Sequence, residues 1–197
     1  SLEKHKALKH KNFATLYQIG EKECFFILRE FASGTSLKHQ LESKKQFSIQ
    51  EIHKIFMDIC NALAAISKMG LVHKNLKPAN IIIDNAGALK ILDFSLPPTL
   101  PYYLSPEQCE GKKSDVRSDI YALGILYFYF LAGTLPFAQT SSREVMSHHI
   151  KTPLPDITTL RNNLSENVLE LLNKMTAKAP EKRYQKYEEF LPLLKKI

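Results

Sequence analysis

The stretch from Val72 to Asp93, VHKNLKPANIIIDNAGALKILD, packs an imidazole, ammonium groups, amides and carboxylates into a short span. Asn80 and Asp93 carry side-chain oxygens, although an Asp and an Asn equally cap turns. Lys77 read alone carries no message. Asn75 presents an amide, which has no charge and cannot accept a hydroxyl proton. Cysteine chemistry is less promising. The three cysteines, Cys24, Cys60 and Cys109, lie far apart with no C-x-x-C pair. That argues against zinc and against a disulfide framework, and fits a reducing cytosol. No G-x-G occurs in the chain, so a glycine-rich phosphate loop is not expected.

The order of these residues carries more than their types. His73-Lys74-Asn75-Leu76-Lys77-Pro78-Ala79-Asn80, followed by Asp93-Phe94-Ser95, resembles the H-R-D-L-x-x-x-N and D-F-G segments of protein kinases. Tyr102-Tyr103-Leu104-Ser105-Pro106-Glu107 is similar to the segment ending in A-P-E. Ser118 to Gly124 resembles the start of the family's central buried helix, and Ala179-Pro180-Glu181-Lys182-Arg183-Tyr184 its late D-P-x-x-R-Y motif. Upstream, His10-Lys11-Asn12-Phe13 looks like the turn before strand four, and Leu28-Arg29-Glu30-Phe31 like the hinge between lobes. Matches in the family's order from His10 to Tyr184 are not chance. LKPANIII and YYLSPEQ are closest in style to bacterial-type serine/threonine kinases.

The resemblance implies roles residue by residue. Asp93 and Asn80 would be the magnesium ligands, and Lys77 would neutralise the transferring phosphoryl group. Arg29, Glu30, Ala32 and Ile82 would border the nucleotide. His73, Phe94 and Leu16 would form the regulatory spine, Asp119 would hold the loop backbone, and Glu107 and Arg183 would make the long-range ion pair.

Several positions depart from the pattern. Asn75 stands where the catalytic Asp belongs, and a general base contributes roughly 10² to 10⁴ in rate. Leu100 replaces the threonine that would bond that Asp and the loop lysine. Lys74 replaces an Arg and lacks its planar fork. Phe94 to Ser105 leaves a short activation segment, and Ser95 replaces a glycine. Arg29, at the gatekeeper position, would either hinder adenine stacking or hold a salt bridge. No V-A-I-K-like strand precedes Leu8, and Glu3 is poorly offset for the family's helix glutamate.

Elements must place these residues. Thr15 to Ile19 and Cys24 to Leu28, around a turn at Gly20 to Glu23, predict an antiparallel hairpin. Ser36 to Leu41 fits a short helix. Ser48 with Glu51 forms a capping box before a helix with Ile52, Ile55, Phe56, Ile59, Leu63 and Ile66 on one face, ended by Gly70. Ile81 to Ile83 and Leu89 to Leu92 predict strands around the Asp84 to Gly87 turn. From Asp119 onward the pattern is helical. Tyr121 to Phe137 carries no charge, but Gly124, Gly133 and Pro136 interrupt it, so a helix buried on all sides fits better than a membrane span.

The resulting expectation is a mainly α (α+β) chain with a protein kinase-like fold. Residues 1–31 would be a remnant of the N-terminal lobe (strands four and five) with the hinge, and 32–197 the helical C-terminal lobe. With 44% hydrophobic residues a full core is available, and a net charge of +7 spread along the chain does not make a nucleic-acid face. The functional expectation is a pseudokinase-type protein-binding or regulatory module in the cytoplasm, without a membrane segment. The alternative is a divergent serine/threonine kinase. No cofactor is expected of the chain alone, and ATP with Mg²⁺ would come with a supplied N-terminal lobe. Ser1 in place of Met suggests an excerpt. An exposed surface facing that lobe would then be covered by a protein partner or a second copy.

Overall fold

The computed structural model describes residues 8–21, 24–43, 47–94, 100–138 and 141–196. Glu3, the hairpin-turn residues Lys22 and Glu23, and Ser95 lie outside them.

The predicted hairpin is present. Strands β1 (Leu16–Glu21) and β2 (Phe25–Arg29) pair antiparallel, with Leu16 opposite Arg29 and Gly20 opposite Phe26. The segment before β1 attaches the hairpin to the rest of the molecule. Asn12 and Ala14 exchange backbone bonds with Ile91, and the Asn12 amide donates to the Leu89 carbonyl at 3.0 Å.

A two-residue strand β3 (Thr35–Ser36) follows, then helix α1 (Leu37–Glu42), whose first turn is capped by the Ser36 hydroxyl. Gly34 precedes it at φ 123°, and a Cβ there would lie 2.3 Å from the Ile83 carbonyl oxygen. Only glycine lets the chain pass so close to its neighbour. Helix α2 (Ile49–Lys68) begins with the anticipated capping box and buries Ile52, Ile55, Phe56, Ile59, Leu63 and Ile66. It stops at Met69, with Gly70 left-handed at φ 71°.

Strands β4 (Ile81–Ile83) and β5 (Leu89–Ile91) complete a three-stranded sheet in the order β3-β4-β5. The Asp84 carboxylate accepts the Ala86 and Ala88 amides, which closes the turn between β4 and β5. Leu92, expected in the strand, falls just past its end.

Beyond helix α3 (Pro106–Cys109) comes α4 (Val116–Ala132), which starts three residues before Asp119 because Asp115 and Ser118 form a reciprocal cap. This helix is apolar all round and buried all round: Tyr121, Leu123, Ile125, Leu126, Tyr127 and Phe128 are all fully covered. The hydroxyls of its two fully buried tyrosines are satisfied, Tyr127 by His53 at 2.9 Å and Tyr121 by His149 at 3.0 Å. Gly124 lets the helix approach Met175 and Thr176 closely. Helices α5 (Ser142–Lys151) and α6 (Glu166–Met175) pack against this axis, and α7 (Leu191–Leu194) packs against α2. Among the described residues no helix is long and apolar enough to cross a membrane. The two small sheets and the helical body match the anticipated mainly helical lobe with a strand remnant.

Candidate active site

The loop from Leu71 to Lys77 has no secondary structure of its own, so something else must fix it. That is Asp119, in the first turn of α4. Its carboxylate accepts the His73 amide at 2.6 Å and the Lys74 amide at 2.7 Å. Lys74 is held left-handed at φ 67°, a conformation a lysine rarely adopts without such support. Burial pushes Asp119 up to about 7, against the pull of the two amides.

His73 is fully buried and its hydrogen bonds define its tautomer. Nε2 lies 3.1 Å from the Leu92 carbonyl, which can only accept, so Nε2 carries the proton. Nδ1 is then free to accept the Asn75 amide at 3.3 Å. Burial lowers its pKa to about 4, so His73 is a neutral strut between loop and strand end, not a proton carrier. Its ring meets Phe94 at 5.7 Å, and Phe13 contacts both, at 6.4 Å and 5.9 Å. The resemblance to kinases places Leu16 in this packing. Leu16 does line the same cavity as Phe94, but the aromatic contact from Phe13 was not anticipated.

Asn75 and Asn80 are brought together. The Asn80 side-chain amide donates to the Asn75 carbonyl at 2.9 Å, and the Asn80 carbonyl accepts the Leu92 amide at 2.8 Å. Both residues are buried, whereas Lys77 is half-buried at the start of the turn Pro78–Asn80. Leu100 is exposed.

Asp93 sits at φ 55°, a left-handed position that aspartate tolerates better than most residues. Its carboxylate forms an ion pair with the Arg29 guanidinium, reaching across from the end of β2. Between them and Leu16, Ile27, Phe13 and Phe94 lies a small, mostly apolar cavity of about 40 Å³. A single water needs about 10–15 Å³ on this scale, so it holds a few waters at most. Of the other residues assigned to a nucleotide, Glu30 turns to Lys90 at 2.8 Å and to the Thr15 amide at 3.0 Å. These partners, Lys90 first, hold its carboxyl below the usual range despite its burial. Ala32 and Ile82 are both half-buried, Ile82 within β4 opposite Ser36.

A resident magnesium ion does not fit this arrangement. Mg²⁺ takes one or two carboxylates plus waters, and the carboxylate at Asp93 already faces a guanidinium. Among the described residues no group of three or more His, Cys, Asp or Glu side chains could share a metal.

The platform beneath the loop is strongly built. Arg183 is fully buried and pairs bidentately with Glu107, both contacts at 2.8 Å. Its remaining donors go to the carbonyls of Ala177, Arg117 and Lys178, so all five guanidinium N–H groups are used. The Ser118 hydroxyl adds a 2.6 Å bond to Glu107. Burial alone would raise Glu107, but the bonds from Arg183 and Ser118 outweigh it and hold the carboxyl at about 2. Gln108 reaches back from α3 to the Lys74 carbonyl at 3.2 Å. Nothing in a single sequence flags that contact.

Comparison with known proteins agrees with this geometry. Residues 2–191 match the protein kinase domain family model. The serine/threonine-protein kinase PrkC of Bacillus subtilis is 31% identical over 198 residues, covering 93% of this chain and 31% of PrkC. A probable serine/threonine-protein kinase PknB of Lactococcus lactis is 30% identical over 93% of this chain and 32% of its own length. PknB of Mycobacterium tuberculosis is also 30% identical, over 91% of this chain and 32% of its own. The chain thus spans under a third of the length of these relatives.

Proposed function

The chain belongs to the protein kinase domain family, and from that premise we propose that it is a catalytically impaired, pseudokinase-type domain serving as a regulatory or protein-binding module. The observation that carries this reading is Asn75. It is buried in the loop that Asp119 and His73 hold in place, with an amide where proton acceptance is required. The Arg29–Asp93 pair, a cation on the carboxylate expected to hold magnesium, supports it independently. Tyr17, Leu28 and Phe31 are 55%, 52% and 88% exposed on and beside the hairpin, and a protein partner is expected to contact that face.

The retained Lys77, the Asn80–Asn75 bond and the names of the relatives favour a second reading, a divergent serine/threonine kinase using ATP and Mg²⁺ with low activity. Phosphotransfer by the full-length protein beside its Asn75→Asp variant separates the two. The first reading expects no turnover above background from the unmodified protein. Since a general base is worth about 10² to 10⁴, turnover at an ordinary kinase rate, unchanged by the substitution, would overturn it.

A further inference from the structure

Arg29 ends β2 directly opposite Leu16, and its Nη1 donates to Asp93 Oδ1 across 64 residues of sequence. The other groups facing the cavity there, Phe13, Leu16, Ile27, Ile91 and Phe94, are apolar. They offer neither partner a substitute. The two side chains are 35% and 28% exposed, so the pair is partly shielded from water. A guanidinium cannot lose its charge in a protein. Arg29 engages one carboxylate oxygen, so a divalent cation at Asp93 would have to take Oδ2 with the guanidinium charge beside it, and among the described residues no group of three or more His, Cys, Asp or Glu side chains is there to balance the added charge.

We propose that Arg29 is a metal-exclusion latch: its guanidinium, held against Asp93 Oδ1, neutralises the carboxylate and repels a second cation there, so that divalent-ion binding at Asp93 and the Arg29–Asp93 pair oppose each other. Closed, the pair also ties the β1–β2 hairpin to the segment that follows β5. This inference stands on geometry around Asp93 and does not depend on Asn75.

Mn²⁺ binding to the full-length protein, followed by electron paramagnetic resonance, tests it. The unmodified protein should show no saturable site at millimolar Mn²⁺ involving Asp93. Arg29→Met should gain at least about tenfold in affinity, and the gain should vanish when Asp93→Asn is added. Arg29→Gln serves if circular dichroism shows that the methionine variant does not fold. Broadening of the Asp93 and Asn80 NMR signals by Mn²⁺ in the unmodified protein reads the same point without any variant. Such broadening, or no gain in either Arg29 variant, overturns the latch. Manganese bound to a protein that transfers no phosphate would remove the latch and leave the regulatory reading intact. Ordinary turnover would remove that reading.

Discussion

Glu107 and Arg183, 76 residues apart, meet in a buried bidentate ion pair beneath the loop that carries Asn75. Arg183 also lies 4.9 Å over the Tyr121 ring and bonds three backbone carbonyls, so the pair joins α3, α4 and the segment after α6. Breaking one side of such a pair leaves the other charge buried without a counterion.

Glu107→Ala should therefore destabilise the domain by about 3–5 kcal/mol. Replacing both partners with apolar residues, Glu107→Leu with Arg183→Met, should recover much of that loss. Urea unfolding of the single and double variants measures it. A loss below about 1 kcal/mol for Glu107→Ala would match an exposed pair and contradict the burial.

His149 gives the fold a pH dependence with a definite sign. Its Nε2 donates to the Tyr102 carbonyl at 3.1 Å and its Nδ1 accepts the Tyr121 hydroxyl at 3.0 Å, so the ring is neutral. Burial first, then the charge of Lys178, lowers its pKa from 6.5 to about 4. The unfolded chain takes up a proton from pH 6.5 downward while the folded chain does not. The stabilisation is whole above that value and is lost as pH falls toward 4. His73 acts in the same direction. Asp119, raised to about 7, acts in the opposite one, its contribution fading as pH rises toward 7. Comparing the unmodified protein with His149→Gln isolates one group. Between pH 6.5 and 4.5 the unmodified protein should lose about 2 kcal/mol more than the variant, read from urea midpoints at each pH. Equal slopes would mean that His149 is protonated in the fold.

What the sequence made legible was local or strongly patterned. Ser48 and Glu51 are three residues apart, and their reciprocal cap is written in that spacing. The face of α2 follows from periodicity, and Asn75, Asn80 and Asp93 from their order within a motif. Strand β3 was not legible, because Thr35 and Ser36 are too few residues to show an alternation and owe their pairing to Ile82 and Ile83. Phe13 entered as part of a turn motif, yet its ring touches His73 and Phe94. Arg29 was readable as a cation in an unusual place with either of two consequences. Which one holds depends on Asp93, 64 residues away, and no local rule connects them.

Gly124 sets the distance between α4 and α6. A Cβ at that position would lie 2.5 Å from Thr176 Cγ2 and 2.9 Å from Met175 Cβ, closer than packed carbons allow. In an isolated helix, alanine would be favoured over glycine by about 1 kcal/mol. Here overpacking should win, and Gly124→Ala should destabilise by about 1–3 kcal/mol, less the helix gain. Thr176→Ser removes the nearer methyl but keeps the hydroxyl that bonds the Leu172 carbonyl at 2.8 Å. The double variant Gly124→Ala with Thr176→Ser should thus be more stable than Gly124→Ala alone, in a thermal melt of all four proteins. If Gly124→Ala instead raises the melting temperature, the two helices do not pack this tightly, and the platform under the loop is looser than its geometry implies.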